Sequence, residues 1–286
     1  MAYKAQLEAL AISMQAQLSK TVKTPPPALI GLVGTGKTSA NEQVAAALGL
    51  NCYVISLPQV LPEALGGLPY ADLEAGVVKF LPADFFKAIV DNGDDKSLLF
   101  FDEIADAPRN SQSALHKILT HREAGSLKLP RCAMGSAMNP PDQSTTGGSI
   151  SEAIATRSVQ LPWDGWSFEE SLRADSIAND LIYEVPKLTE GWEGGYQEAC
   201  IKTNAFLESS FGMRFRRTRP KASTVLGDHV LGMAAPQANS RTWRYAKGLI
   251  AACDSLGRDA QAAKLLLVSG CVGEDAAREY ILFEQN

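Results

Sequence analysis

The sequence predicts an α/β protein: a parallel sheet between two layers of helices, followed by a smaller all-α unit. Three observations carry that expectation. The stretch "GLVGTGKTSA", Gly31 to Ala40, stands directly behind the apolar run "ALI" and ahead of the helix-like "ANEQVAAALGL". The run "SLLFF" is apolar throughout and closes on Asp102 and Glu103, as a strand buried on both faces of a parallel sheet would. From about Gly165 strand signals thin out and helical patterns take over.

In chain order, residues 1–22 read as an amphipathic helix, and "TPPPALIGL" leads through prolines into a short buried strand. A helix follows the glycine loop and stops at Gly49, which suits a helix C-terminus. "CYVISL" is a second strand, "GGLPYADLEAGVVKFLP" has the turn punctuation of a hairpin, and "ADFFKAIVDNG" is a helix ending in an Asn-Gly turn. After the strand that closes on Asp102, "NSQSALHKILTHRE" is a helix, and "RCAMGSAMNPP" and "SVQLPW" are strands. Alternating strands and helices over Ala28 to Trp163 specify a sheet wound with helices on both sides. Helices are then expected in "SFEESLRADSIANDLIYEV", "GGYQEACIKTNAFLESSF", "SRTWRYAKGLIAACDSLG" and "DAQAAKLLLVSGCVGEDAAREYILFEQ". The resulting division is a lead-in over 1–24, an α/β domain over 25–165 and a helical lid over 166–286.

Composition limits the classes open to such a chain. Its 286 residues are 45% hydrophobic and 21% charged, the balance of a soluble protein with a core and not of a disordered segment. The absence of any apolar run of membrane-spanning length, and of a signal-like N-terminus, makes a cytoplasmic protein the expectation. Five widely spaced cysteines without a CxxC or Cys/His grouping suit core positions and neither a disulfide framework nor a zinc site. A formal charge of -5 provides no global attraction to nucleic acid.

Gly31 to Thr38 fit G-x-x-x-x-G-K-[ST] with the strand before and helix after that the pattern requires. The glycines let backbone N–H groups approach phosphate oxygens, and the helix N-terminus adds positive potential. ATP is therefore expected on Gly31, Val33, Gly34, Thr35, Gly36, Lys37, Thr38 and Ser39, with Lys37 reaching the β and γ phosphates. Thr38 and Asp102 are the expected Mg²⁺ ligands, and Glu103 is the expected general base toward an attacking water. Asn139 closes the next strand, where its amide either holds that water beside the γ-phosphate or simply initiates an Asn-Pro turn.

The phosphate loop, "FFDEIADAPRNSQSALHKIL", the hairpin-like "REAGSLKLPRCAMGSAMNP", "GGSISEAIATRSVQLPW" and the late "SRTWRYAKGLIAA" together resemble an AAA+ ATPase of the MoxR type, from about Pro25 to Phe283. The resemblance implies a P-loop AAA+ fold and a ring, a hexamer in the usual case, with active sites between neighbouring subunits. It assigns Asn139 as sensor 1 and Arg157 as the arginine finger offered in trans. Members commonly read Asn-Arg-Phe where this chain reads Thr156-Arg157-Ser158. Arg241 falls at the sensor 2 position, where it would touch the γ-phosphate in cis, although Asn239-Ser240-Arg241 replaces the usual Ser-Pro-Arg. The segment Leu68 to Pro82 lies where such proteins carry a pore-facing hairpin, so Tyr70 or the turn Glu74-Ala75-Gly76 either faces a substrate or belongs to an ordinary surface hairpin.

Three functions stay open at this stage. The first is an ATP-hydrolysing remodeller or assembly chaperone for a protein client, which the resemblance pairs with a von Willebrand factor A partner. The second is a scaffold ring with slow turnover. The third, ranked last, is a nucleic-acid motor, motivated by Arg214, Arg216, Arg217, Arg219 and Lys221 with Phe211 and Phe215 interleaved, a cluster that on an acidic chain reads more readily as a solvated lid loop.

Overall fold

The computed structural model describes residues 2–143, 148–177 and 182–285. Its elements in chain order are α1 (Ala2–Ala16), β1 (Pro27–Ile30), α2 (Lys37–Ala47), β2 (Asn51–Ser56), α3 (Pro62–Gly66), β3 (Leu68–Asp72), β4 (Val77–Leu81), α4 (Asp84–Asn92) and β5 (Ser97–Asp102). Next come α5 (Arg109–His121), β6 (Glu123–Ala124), β7 (Leu127–Lys128), β8 (Ala133–Met138), α6 (Glu152–Ala155) and β9 (Val159–Pro162). The C-terminal region holds α7 (Phe168–Ile177), α8 (Tyr196–Glu208), β10 (Val225–Leu226), β11 (His229–Val230), α9 (Ser240–Asp254), α10 (Gln261–Val272) and α11 (Glu274–Gln285).

Five strands form one parallel sheet in the order β2-β5-β8-β1-β9. The continuous apolar run of β5 has a simple cause in this sheet. Leu98 and Phe100 enter a core shared with α1, α2, α9 and α10, whereas Leu99 and Phe101 enter a second core with α4 and α5. Side chains alternate between faces with a period of two, and helices cover both faces, so neither set meets water. The chain leaves β1 on one side toward β2 and returns on the other as β9, which makes the C-terminal end of β1 the crevice where ligands bind in sheets of this kind.

Three sequence expectations change. The N-terminal helix is buried nearly all round instead of amphipathic: Tyr3, Leu7, Leu10, Ile12 and Met14 pack into the first core, and only a narrow line through Lys4 and Glu8 is left to polar surroundings. The buried polar residues of this helix and of the turn after it each find a partner. Gln6 donates to Asp164 at 2.7 Å, Ser13 to the Pro25 carbonyl at 3.3 Å, and Gln17 to the Met134 carbonyl at 2.8 Å. The helix expected over 167–185 is α7 up to Ile177; residues 178–181 of that expectation lie outside the described residues, and 182–190 carry no helix, since Pro186 disfavours helical backbone at Val185. The last expected helix is two, α10 and α11, broken at Gly273.

The C-terminal region joins its helices by irregular chain over 209–239, which holds short 3-10 turns and the two-residue ladder of β10 and β11 around Gly227. α10 lies against β9 and α1 against α9 and α10, so the helical region shares its core with the sheet. Among the described residues no helix is long and apolar enough to cross a membrane.

Candidate active site

The loop between β1 and α2 is shaped by close approach and by backbone handedness. A Cβ on Gly31 would stand 2.0 Å from the Trp163 carbonyl oxygen, so only glycine lets β1 run this close to the chain leaving β9. Gly34 and Gly36 have φ of 79° and 74°, the left-handed region that turns the loop back toward α2. Gly36 is also the N-cap of α2, and no side chain caps that terminus. Its first N–H groups are therefore orphan donors at the positive end of a helix, which is the donor chemistry a phosphate requires.

Lys37 crosses the mouth of this loop. Its Nζ donates to the carbonyls of Gly31 at 2.9 Å and Leu32 at 2.7 Å and to Asn139 Oδ1 at 3.1 Å. The side chain is 9% exposed, and burial pushes its pKa down while Asp102 and Glu103 oppose the shift. Thr38 donates through Oγ1 to Asp102 Oδ2 at 2.6 Å, which joins the first turn of α2 to the end of β5. No cluster of three His, Cys, Asp or Glu side chains is present among the described residues. A hydroxyl beside one carboxylate at a phosphate loop fits Mg²⁺, which dehydrates reluctantly and completes its shell from water and phosphate.

Glu103 directly follows β5 and has φ of 56°, in the left-handed backbone region that non-glycine residues rarely adopt. Its N–H donates to Asp102 Oδ1 at 2.9 Å, and its Oε2 accepts from Ser56 Oγ at 3.4 Å. Asn139 follows β8, the strand between β5 and β1, so the sheet order itself brings Lys37, Asp102, Glu103 and Asn139 to one edge. Val33 projects into solvent, and Ser39, Thr35, Gly34, Tyr3 and Trp166 border an adjacent cavity of about 320 Å³.

Arg157 and Arg241 are elsewhere. Arg157 precedes β9, and parallel pairing sets Val159 beside Pro27 and Pro162 beside Ile30. Arg157 thus enters at the end of the sheet where β1 begins, about 13 Å of strand away from the phosphate loop at about 3.3 Å per residue. Its Nη1 donates to the Ala153 carbonyl at 2.8 Å, and burial together with the nearby Arg241 pushes its pKa down. Arg241, in the first turn of α9, donates to Thr156 Oγ1 at 3.4 Å. The structure places Arg241 beside Thr156 and within electrostatic reach of Arg157, where the Asn239 capping box fixes the start of α9 beside the end of α6.

The basic cluster also differs from its sequence reading. Phe215 is buried and stacked on Phe206, so it serves the core and offers no platform for a base. Arg214 is paired with Glu279 at 2.9 Å. The hairpin over Leu68 to Leu81 forms as expected, with Leu68, Tyr70, Leu73, Val77, Val78 and Phe80 exposed. Its base is held by Ser126, which accepts from Phe80 N–H through Oγ at 3.0 Å.

Two contributors were missed from sequence. Ser56 reaches Glu103 only because β2 pairs with β5 in register, Ser56 beside Asp102. Trp163 donates through Nε1 to the Thr35 carbonyl at 3.0 Å and packs edge-on against Tyr3, which ties the phosphate loop to α1. A polar-tipped aromatic directly after a buried strand was the available signal.

Residues 27–133 match the AAA domain (dynein-related subfamily). That span holds the phosphate loop, Asp102 and Glu103 but neither Asn139 nor the two arginines. A crystal structure of a protein described as a candidate ATPase from Cytophaga hutchinsonii is similar at TM-score 0.55 and 16% identity, over 99% of this chain and 88% of that one. No curated protein matches the chain. The sheet order, the phosphate loop and the domain match together support an AAA+ P-loop fold with a helical lid. Within that class the matched part is similar to the dynein-related AAA domain.

Proposed function

We propose that this chain is a MoxR-like ring ATPase that hydrolyses ATP between neighbouring subunits and uses the turnover to remodel or assemble a protein client. The single observation that carries the reading is the separation of two half-sites. Lys37, Thr38, Asp102, Glu103 and Asn139 stand at one end of the sheet, and Arg157 with Arg241 at the other. A neighbour stacked end to face brings the two halves together, and a heterologous contact of this kind closes into a ring.

The chemistry asked of the chain is positioning and charge stabilisation. Orphan N–H groups of α2 receive phosphate oxygens, and Lys37 exchanges the Gly31 and Leu32 carbonyls for the β and γ phosphates. Bound with the triphosphate, Mg²⁺ supplies charge neutralisation; Thr38 and Asp102 are the residues that would hold it. Glu103 takes the proton of the attacking water, and the Asn139 amide, already against Lys37, orients it. Arg157 of the next subunit meets the charge developing on the γ-phosphate, a contribution of about 10³ to 10⁵ in rate.

The exposed apolar hairpin over Leu68 to Leu81 is the surface offered to a client, since an apolar patch of this kind marks a contact surface. A von Willebrand factor A protein is the partner class proposed. The test is ATPase activity measured against protein concentration, with Glu103→Gln alongside. Specific activity should rise with concentration and fall about 10² to 10⁴-fold in the variant, whereas a concentration-independent rate would overturn the shared site. A Glu103→Gln chain that still performs the cellular role would favour the slow scaffold.

A further inference from the structure

At the end of the sheet opposite the phosphate loop, the chain between α1 and β1 meets the last turn of α5 and the start of β8 around a cavity of about 430 Å³. Five cations line it, Lys20, Lys23, Arg122, Lys128 and Arg131, with His121 beside them. No carboxylate does, and the excess is local, since the chain carries a net charge of -5. Neighbouring acids answer part of the charge: Arg131 Nε donates to Asp95 Oδ1 at 2.6 Å, and Lys128 stands 3.9 Å from Glu123. Lys20, Lys23 and Arg122 are in no ion pair among the described residues. The C-terminus of α5 attracts a cation too, but a helix end is worth only about half an elementary charge. Arg122 donates through Nη1 instead to the carbonyls of Cys132 at 2.8 Å and Pro130 at 3.3 Å.

A second feature sets this cavity apart from an ordinary charged surface. Thr24 lines it, is 8% exposed, and its Oγ1 has no hydrogen-bond partner in the protein. A buried hydroxyl is ordinarily paired, because leaving it without a partner forfeits its hydration for nothing. Its methyl lies toward α9, where a Cβ on Gly248 would stand 2.8 Å from Thr24 Cγ2. The hydroxyl is thus fixed in the wall of a basic cavity with its proton free for an acceptor from outside the chain.

The lining selects among anions. A volume of about 430 Å³ falls in the range of small-molecule sites. No Phe, Tyr or Trp lines it, so a base has nothing to stack on, and single-stranded nucleic acid is ordinarily held by such stacking. Several cations and a hydroxyl around one small space suit closely spaced, multiply charged phosphate oxygens better than a single carboxylate. We propose that this cavity is a binding site for a small free oligophosphate, held by Lys20, Lys23 and Arg122, with the Thr24 hydroxyl donating to one of its oxygens. It is separate from the ATP cradle: Thr24 and Pro26 precede β1 and the phosphate loop follows it, about 13 Å of strand away at about 3.3 Å per residue.

The experiment is a calorimetric titration of the full chain with tripolyphosphate. Lys37→Ala is carried throughout, because Lys37 lies in the phosphate loop and its loss weakens that competing site. Against that parent, K20A/K23A should bind at least about tenfold more weakly, and orthophosphate should bind the parent more weakly than tripolyphosphate does. Both lysines are exposed, so a thermal melt should show the fold kept. Thr24→Val should lower the affinity about three- to tenfold with a melting temperature unchanged or higher, since it removes an unpaired buried hydroxyl. A merely structural threonine would leave the affinity alone. No binding of tripolyphosphate, or equal binding by K20A/K23A, overturns the inference. Equal binding by Thr24→Val with K20A/K23A impaired overturns the built site in favour of a charged surface. A hexaglutamate peptide or a fluorescent single-stranded oligonucleotide that binds the parent more tightly than tripolyphosphate, and is lost in K20A/K23A, overturns the ligand class. None of these residues belongs to either half of the shared ATP site, which stands or falls separately.

Discussion

Gly31→Ala is the sharpest test of why the phosphate loop has its shape. The added Cβ would lie 2.0 Å from the Trp163 carbonyl oxygen and 3.2 Å from Trp163 Cβ. Ordinary contact needs about 3.4 Å or more, so the two chains must part by more than about 1 Å. Trp163 cannot swing away freely: it is fully buried, its N–H donates to the Ile30 carbonyl at 2.7 Å, and its indole holds Thr35. Parting costs roughly 1–3 kcal/mol in overpacking, plus about 1 kcal/mol for the weakened hydrogen bond. A loss of about 2–4 kcal/mol in a chain of this size corresponds to a melting temperature lower by roughly 3–7 °C. Gly34→Ala is the control, because its Cβ meets nothing within 4 Å and only its positive φ resists, at about 1 kcal/mol. Differential scanning fluorimetry without nucleotide compares the two. Equal melting temperatures for Gly31→Ala and the parent would refute the reasoning.

Two further outcomes follow from buried partnerships. Lys264 is 2% exposed and bonds Asp254 at 2.7 Å and Glu284 at 2.6 Å, joining α9, α10 and α11. Lys264→Met should therefore destabilise by about 3 kcal/mol, nearer the lower limit for a broken buried pair because Asp254 is partly in water; a urea titration reads this, and no change would contradict it. Trp163→Phe keeps the ring but removes the donor to Thr35, so ATP affinity should fall about five- to tenfold with little change in the melt, measured by calorimetric titration. Unchanged affinity would mean that the indole does not hold the loop.

Much of the cradle was legible in the sequence because its information is local. Gly31 to Thr38 are contiguous, and an apolar strand closing on Asp102 and Glu103 states its own burial. The juxtaposition of Arg157 with Arg241 was not legible, since it depends on where α9 starts against α6, across 84 residues of intervening chain. The burial of α1 was hidden for a different reason. Gln6, Ser13 and Gln17 read as a wet face until Asp164 and the carbonyls of Pro25 and Met134 supply their partners. Phe215 misled in the opposite sense: it sits among arginines in the sequence yet points into the core beside Phe206.

The central claim is that one chain's Glu103 works with another chain's Arg157. Arg157→Ala and Glu103→Gln chains should each be nearly inactive alone. Mixed in equal amounts, they create sites in which an intact Glu103 meets an intact Arg157, at about one site in four for random assembly. The account expects ATP hydrolysis in the mixture to recover to about a quarter of the parent rate on that basis. A mixture no more active than the two variants measured separately would contradict it.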